Sequence, residues 1–168
     1  MSSHEAAVTE MAYTSDGRYL ASAGTDGVVA IRDLDNGSTR TIETGGQVLT
    51  VAIDPTDTWL AAAGTTGAVA LYDVRTGDPG PRLDLGEAWV YQVAFDPMSG
   101  AVAAAVEDKA ADAAITDFAV VWDPDADREL GTSRGFRKRL RDPAPLTPAD
   151  GTGGMSEGGP IDSRLEVV

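Results

Sequence analysis

The sequence contains no cysteine and one histidine among its 168 residues. The first absence removes disulfides, cysteine-ligated zinc, iron–sulfur clusters and thiol nucleophiles together. The second removes any multi-histidine metal site within one chain, and a histidine-based triad would depend on His4, next to the N-terminus. Lysine is scarce, with two residues against eleven arginines, and 27 acidic side chains face 13 basic ones for a formal charge of −14. A surface this negative repels a phosphate backbone, which is bound by clustered Lys and Arg, so no nucleic-acid partner is expected. No apolar run approaches the ~20 residues of a membrane-spanning helix, and Met1 to Glu5 lack the basic-then-apolar pattern of a secretion signal. The expectation is a cytoplasmic chain with no membrane attachment, about one domain long with some surplus.

What is present is a repeat. The run from Ser15 to Asp33 (SDGRYLASAGTDGVVAIRD) aligns without gaps on Pro55 to Asp73 (PTDTWLAAAGTTGAVALYD) at an offset of 40. Leu20 and Leu60, Gly24 and Gly64, Gly27 and Gly67, and Asp33 and Asp73 all correspond, and beyond the aligned run Gly37 and Gly77 keep the spacing. A third copy has Val93 to Pro97 at an offset of 42 from Val51 to Pro55 and ends in Val120-Val121-Trp122-Asp123, with about eight extra residues between Glu107 and Asp117. Within each unit the hydrophobic period is two, and Asp16-Gly17, Asp26-Gly27 and Asn36-Gly37 supply hairpin turns, so each unit is a small antiparallel sheet. The first strands alternate through Thr9, Met11, Tyr13; Leu49, Val51, Ile53; and Tyr91, Val93, Phe95, which predicts one mainly apolar face in each. Alanine-rich second strands follow at 19–23, 59–63 and 101–106, third strands at 28–32, 68–72 and 118–122, and weaker fourth strands at 38–43, 82–85 and 128–130. Four strands in about 40 residues make a propeller blade.

These residues resemble the WD40 repeat family, whose blades run ~40–45 residues and end in Trp-Asp. Trp122-Asp123 is the literal Trp-Asp, with Arg32-Asp33 and Tyr72-Asp73 in its place in the other units. The resemblance covers roughly residues 4–130 and implies an all-β chain, a partial propeller of about three four-stranded antiparallel blades at about 4–44, 45–86 and 87–130. It also implies a hydrogen-bonded tetrad of His, Asp, Ser or Thr, and Trp. His4, Ser22 and Asp26 match three of its positions, but unit one has no Trp, unit two has Thr44 and Thr66 for His and Asp, and unit three lacks the turn, so the fold is carried over and the tetrad is not. Rings of this family usually have seven blades and three cannot close, so the chain reads as a piece of a larger propeller, a truncated chain or one arc of an oligomeric ring, with self-association or completion by other blades expected.

Residues 131–168 hold seven Gly and four Pro and lose the period of two, which predicts a disordered tail. Arg134 to Arg141 form a basic cluster there, read as a solvated run that could also bind an acidic partner, the acidic blades or nucleic acid.

Sites of chemistry are mostly missing. Asp123, Asp125 and Asp127 alternate as in a calcium loop, but Arg128 stands where that loop needs Gly and Arg134 where it needs Glu. Glu107, Asp108, Asp112 and Asp117 read as solvated acids of an insertion, and Gly151 to Gly154 lack the Lys-Ser/Thr of a phosphate loop. No catalytic, cofactor or metal residue is assigned. In propellers, the loops leading into each blade and those joining second to third strands share one face, which most often takes partners. Asp26, Gln47, Thr66 and Trp89 are therefore the candidate partner-binding residues, with Trp89 read either as a contact anchor or as packing between blades. Gly27 and Gly67 are read as structural turn residues. The function expected is a non-enzymatic protein- or peptide-binding scaffold module. The alternative is a propeller enzyme or ligand sensor whose active site lies in further blades.

Overall fold

The computed structural model describes residues 3–109 and 117–134. The tail from 135 onward, with most of the basic cluster, and the middle of the insertion with Asp112 lie outside the described residues. The described chain is all β. Twelve strands form three separate four-stranded antiparallel sheets, each in simple up-and-down order. The first holds β1 (Val8–Tyr13), β2 (Tyr19–Gly24), β3 (Val28–Asp33) and β4 (Thr39–Glu43). The second holds β5 (Val48–Ile53), β6 (Trp59–Gly64), β7 (Ala68–Asp73) and β8 (Pro79–Asp84), and the third β9 (Ala88–Phe95), β10 (Val102–Asp108), β11 (Asp117–Asp123) and β12 (Arg128–Arg134). β12 runs four residues past the change of composition at 130, because its backbone still pairs with Phe118–Asp123. Gly131 there weakens the strand without preventing pairing at a sheet edge.

The first strands depart from simple alternation. Val8 pairs with Gly24 and Glu10 with Ala23, leaving Thr9 as an extra residue, and the register shifts in the same way at Leu49 and Tyr91. A bulge of this kind puts two residues opposite one and flips the phase of everything before it. Val48 therefore joins the face of Val51, and Val90 that of Val93; all four are buried. The expectation of one face through Leu49 or Tyr91 fails at the bulge, and Tyr91 is 43% exposed.

Blades pack face to face. Tyr19, Ala21, Ala23, Val29 and Ile31 on the trailing face of blade one meet Val48, Val51, Leu60 and Ala62 on the leading face of blade two. Ala61, Ala63, Val69 and Leu71 then meet Val90, Val93, Val102, Ala104 and Trp122 of blade three. Alanine dominates the second strands, and at the two seams the alanines of β2, β6 and β10 lie where two sheets approach closely. Polar bonds stitch the same seams near the centre. The Val51 amide donates to Glu10 Oε2 at 2.9 Å and the Val93 amide to Thr50 Oγ1 at 3.1 Å, so equivalent positions on successive first strands hold the next blade.

The two end faces repeat this pattern without a mate among the described residues. On the leading face of blade one, Val8 and Met11 occupy the places of Val48 and Val51, yet are 49% and 62% exposed. On the trailing face of blade three, Ala103, Ala105 and Val121 occupy the places of Ala61, Ala63 and Leu71 and are also exposed. The fold thus forms two blade interfaces and presents two half-interfaces.

Candidate functional site

The loops leading into the first strands and those joining second to third strands lie together on what we term the upper face. In blade one this face is organised by His4. Its Nδ1 lies 3.2 Å from both Asp26 carboxylate oxygens and its Nε2 2.8 Å from Ser22 Oγ. A neutral ring that donates from Nδ1 accepts the Ser22 hydroxyl at Nε2. Three members of the tetrad thus assemble although Arg32 replaces the Trp, a network the sequence reading had set aside. Blade three shows the opposite remnant. Trp122 is buried, but its Nε1 has no hydrogen-bond partner among the described residues, where Ala104 stands in the place of Ser22 in blade one and offers no hydroxyl.

Asp26 also accepts the amides of Glu5 at 2.8 Å and Val28 at 3.1 Å, and its side chain is only 10% exposed. Burial alone would raise its pKa; the bonds from the Glu5 amide, His4 and the Val28 amide overcome this and hold it down to about 2. Its carboxylate is therefore engaged within the loop. A carboxylate depressed on folding stabilises the fold fully above its ordinary value of 3.8 and loses that contribution as pH falls through about 2. We expect Asp26→Asn to melt below the parent at about pH 6, with the two curves converging as pH approaches about 2. Thermal melts across that range check this; a gap of constant size would show that the charge on Asp26 is irrelevant.

Asp26 and Gln47 share a cleft of about 690 Å³ between blades one and two, lined also by Glu5, Thr25, Glu43 and Gly27. Three carboxylates make it acidic. Gln47 and Thr66 are exposed on the same face, and Gly46 packs against the Thr66 side chain. Gly27 and Gly67 are buried at the turns with φ of +81° and +71°, a left-handed backbone that disfavours other residues.

Trp89 is 40% exposed, while its chain neighbours Ala88 and Val90 are buried. It lies outside both core clusters. Its ring meets that of Tyr91 edge-on, with centroids 6.3 Å apart, and the Lys109 ammonium sits 4.2 Å over its face. Glu107 Oε2 accepts the Tyr91 hydroxyl at 2.6 Å and pairs with Lys109 at 2.7 Å. The Glu107 hydrogen bond pushes both the Tyr91 phenol and the Lys109 ammonium up from their ordinary pKa values. Sequence reasoning missed this cluster: Tyr91 was read as part of an apolar strand face and Glu107 as a solvated acid. The alternation Trp89-x-Tyr91 opposite Glu107 on paired strands, with Lys109 just past the strand end, was the available signal. Among the described residues, no group of His, Asp and Glu converges in a way that could hold a metal ion.

Comparison with known proteins agrees with this geometry. Residues 1–33 match the family model described as WD domain, G-beta repeat. Two solved structures, of the RRP9 WD40 repeats and of U3-55K, superpose with a TM-score of 0.71 over 81% of this chain, at 16% identity. The fold is the WD40 fold. The chain spans 41% and 42% of those two structures' lengths. At 16% identity the likeness is one of architecture, and no curated protein matches the sequence. The three sheets are thus blades of that fold, and Asp26, Gln47, Thr66 and Trp89 lie on their upper face.

Proposed function

We propose that the chain is a non-enzymatic interaction module of the cytoplasm, an arc of a WD40 propeller completed by further blades or by other copies, whose upper face binds a protein or peptide. The observation that carries this is the exposed Trp89 on that face, between two buried neighbours. A large ring left partly in water, with a surface lysine over its face, offers apolar area that a partner can bury, and Trp is enriched at binding hot spots. The acidic cleft two blades away and the formal charge of −14 favour a basic protein partner over nucleic acid or an anionic membrane.

Peptides selected against the immobilised chain test the reading. Hydrogen-exchange protection should concentrate in 25–27, 45–47, 65–67 and 87–91. Trp89→Ala should weaken capture by ~2 kcal/mol, while the melting temperature moves little, because an exposed aromatic contact is worth ~0.5–1.5 kcal/mol to the fold. A large loss of stability in that variant, or protection confined to the opposite face, would sink the proposal.

A further inference from the structure

Trp89 already holds a cation. The Lys109 ammonium stacks on the indole at 4.2 Å and contacts Glu107 at 2.7 Å, while the Tyr91 ring meets the indole edge-on and its hydroxyl steadies the same carboxylate oxygen. An aromatic face beside a carboxylate braced by a phenol selects an organic ammonium over a hydrated metal ion, because the ring quadrupole attracts a diffuse charge without stripping a tightly held water shell. We propose that Trp89, Tyr91 and Glu107 form a cage for a lysine-type side chain, bare or methylated, on a partner peptide, and that Lys109 is the chain's own competing occupant. This rests on the upper face being a peptide-binding surface and names what the peptide must carry.

Three features support an exchangeable occupant. The position of Trp89 itself stays open when blades dock: Ala7 and Gln47 hold it in blades one and two and remain exposed although a following blade is packed against theirs, while Thr9, at the position of Tyr91, donates to the Val48 carbonyl of the next blade. Lys109 reaches the ring on a long stem from an exposed position next to the insertion, and a surface ion pair of this kind is worth only ~0–1 kcal/mol, so displacing it costs little. The negative charge of the chain raises the local concentration of cationic peptides.

The test uses four short peptides that differ at one position, carrying trimethyllysine, lysine, arginine or norleucine among neutral residues. Affinity and the indole NH signals are followed by NMR in the full chain and in Lys109→Ala, after melts confirm that the variant folds. Emptying the cage should tighten the trimethyllysine peptide by about 2- to 5-fold, the cost of displacing the Lys109 pair, and shift the Trp89 indole signal, with norleucine inert. Adding Trp89→Ala to Lys109→Ala should abolish the gain. Equal affinity in parent and Lys109→Ala, or norleucine binding as well as the cations, would overturn the cage. If peptides move other upper-face signals but leave Trp89 unmoved, the cage fails while the interaction module stands; if no peptide moves any signal, both fail.

Discussion

Gly67→Val should cost about 3 kcal/mol or more, the larger effect of two substitutions that the repeat alone would rank as equal. Both Gly27 and Gly67 have positive φ, and forcing a β-branched residue into that conformation costs ~1–3 kcal/mol. The difference lies in space. A Cβ on Gly67 would fall 1.8 Å from the carbonyl oxygen of Gly86, backbone that cannot swing aside without moving the loop into blade three. On Gly27 the nearest atom, the Gly46 carbonyl oxygen, would be 3.0 Å away, so strain dominates and ~1 kcal/mol is expected. Overpacking against fixed backbone adds a further ~1–3 kcal/mol at Gly67. Denaturant unfolding of the two valine variants checks the ranking, and equal losses would mean that the Gly86 loop yields freely.

A second large effect should separate two leucines that the repeat makes equivalent. Leu60 is fully buried between blades one and two, so Leu60→Ala should cost ~2–5 kcal/mol through lost burial and the cavity left behind. Leu20 holds the same place on blade one, but its face opens onto a groove shared with Val8 and Met11. Leu20→Ala should therefore cost under ~1 kcal/mol, as substitutions outside packed interiors do. Unfolding at low protein concentration is the appropriate measurement, since association would cover Leu20. A loss at Leu20 as large as that at Leu60 would show that the leading face is packed even in the isolated chain.

The architecture was legible because its signals are local and repeated. Period-two strands, Asp-Gly turns and an offset of 40 identify four-stranded sheets without any long-range knowledge. The bulges at Thr9, Leu49 and Tyr91 were not legible, since an extra residue leaves no mark in residue type, and missing them assigned Tyr91 to the wrong face. His4, Ser22 and Asp26 could be matched one by one to a network, but whether three members hold together without the fourth depends on the amides of Glu5 and Val28 that also bind Asp26. The Trp89 cluster depended on strand pairing: only the register that sets Glu107 opposite Trp89 brings Lys109 onto the ring. Asp26 looked like a surface acid because turn aspartates usually are, and its near burial follows from the His4 segment folding over it.

The central claim is that two blade interfaces are formed and two matching half-interfaces stand open, one at each end of the arc. Sedimentation of the chain over a range of concentrations addresses it most directly, with one substitution on each open face. Large exposed apolar faces drive association, and a leading face complementary to a trailing face gives a head-to-tail contact. The account predicts that the parent associates as concentration rises. Met11→Asp and Val121→Asp should each weaken that association, and mixing the two variants should restore a dimer through the one intact face of each. A compact monomer at every concentration, unchanged by either substitution, would contradict it.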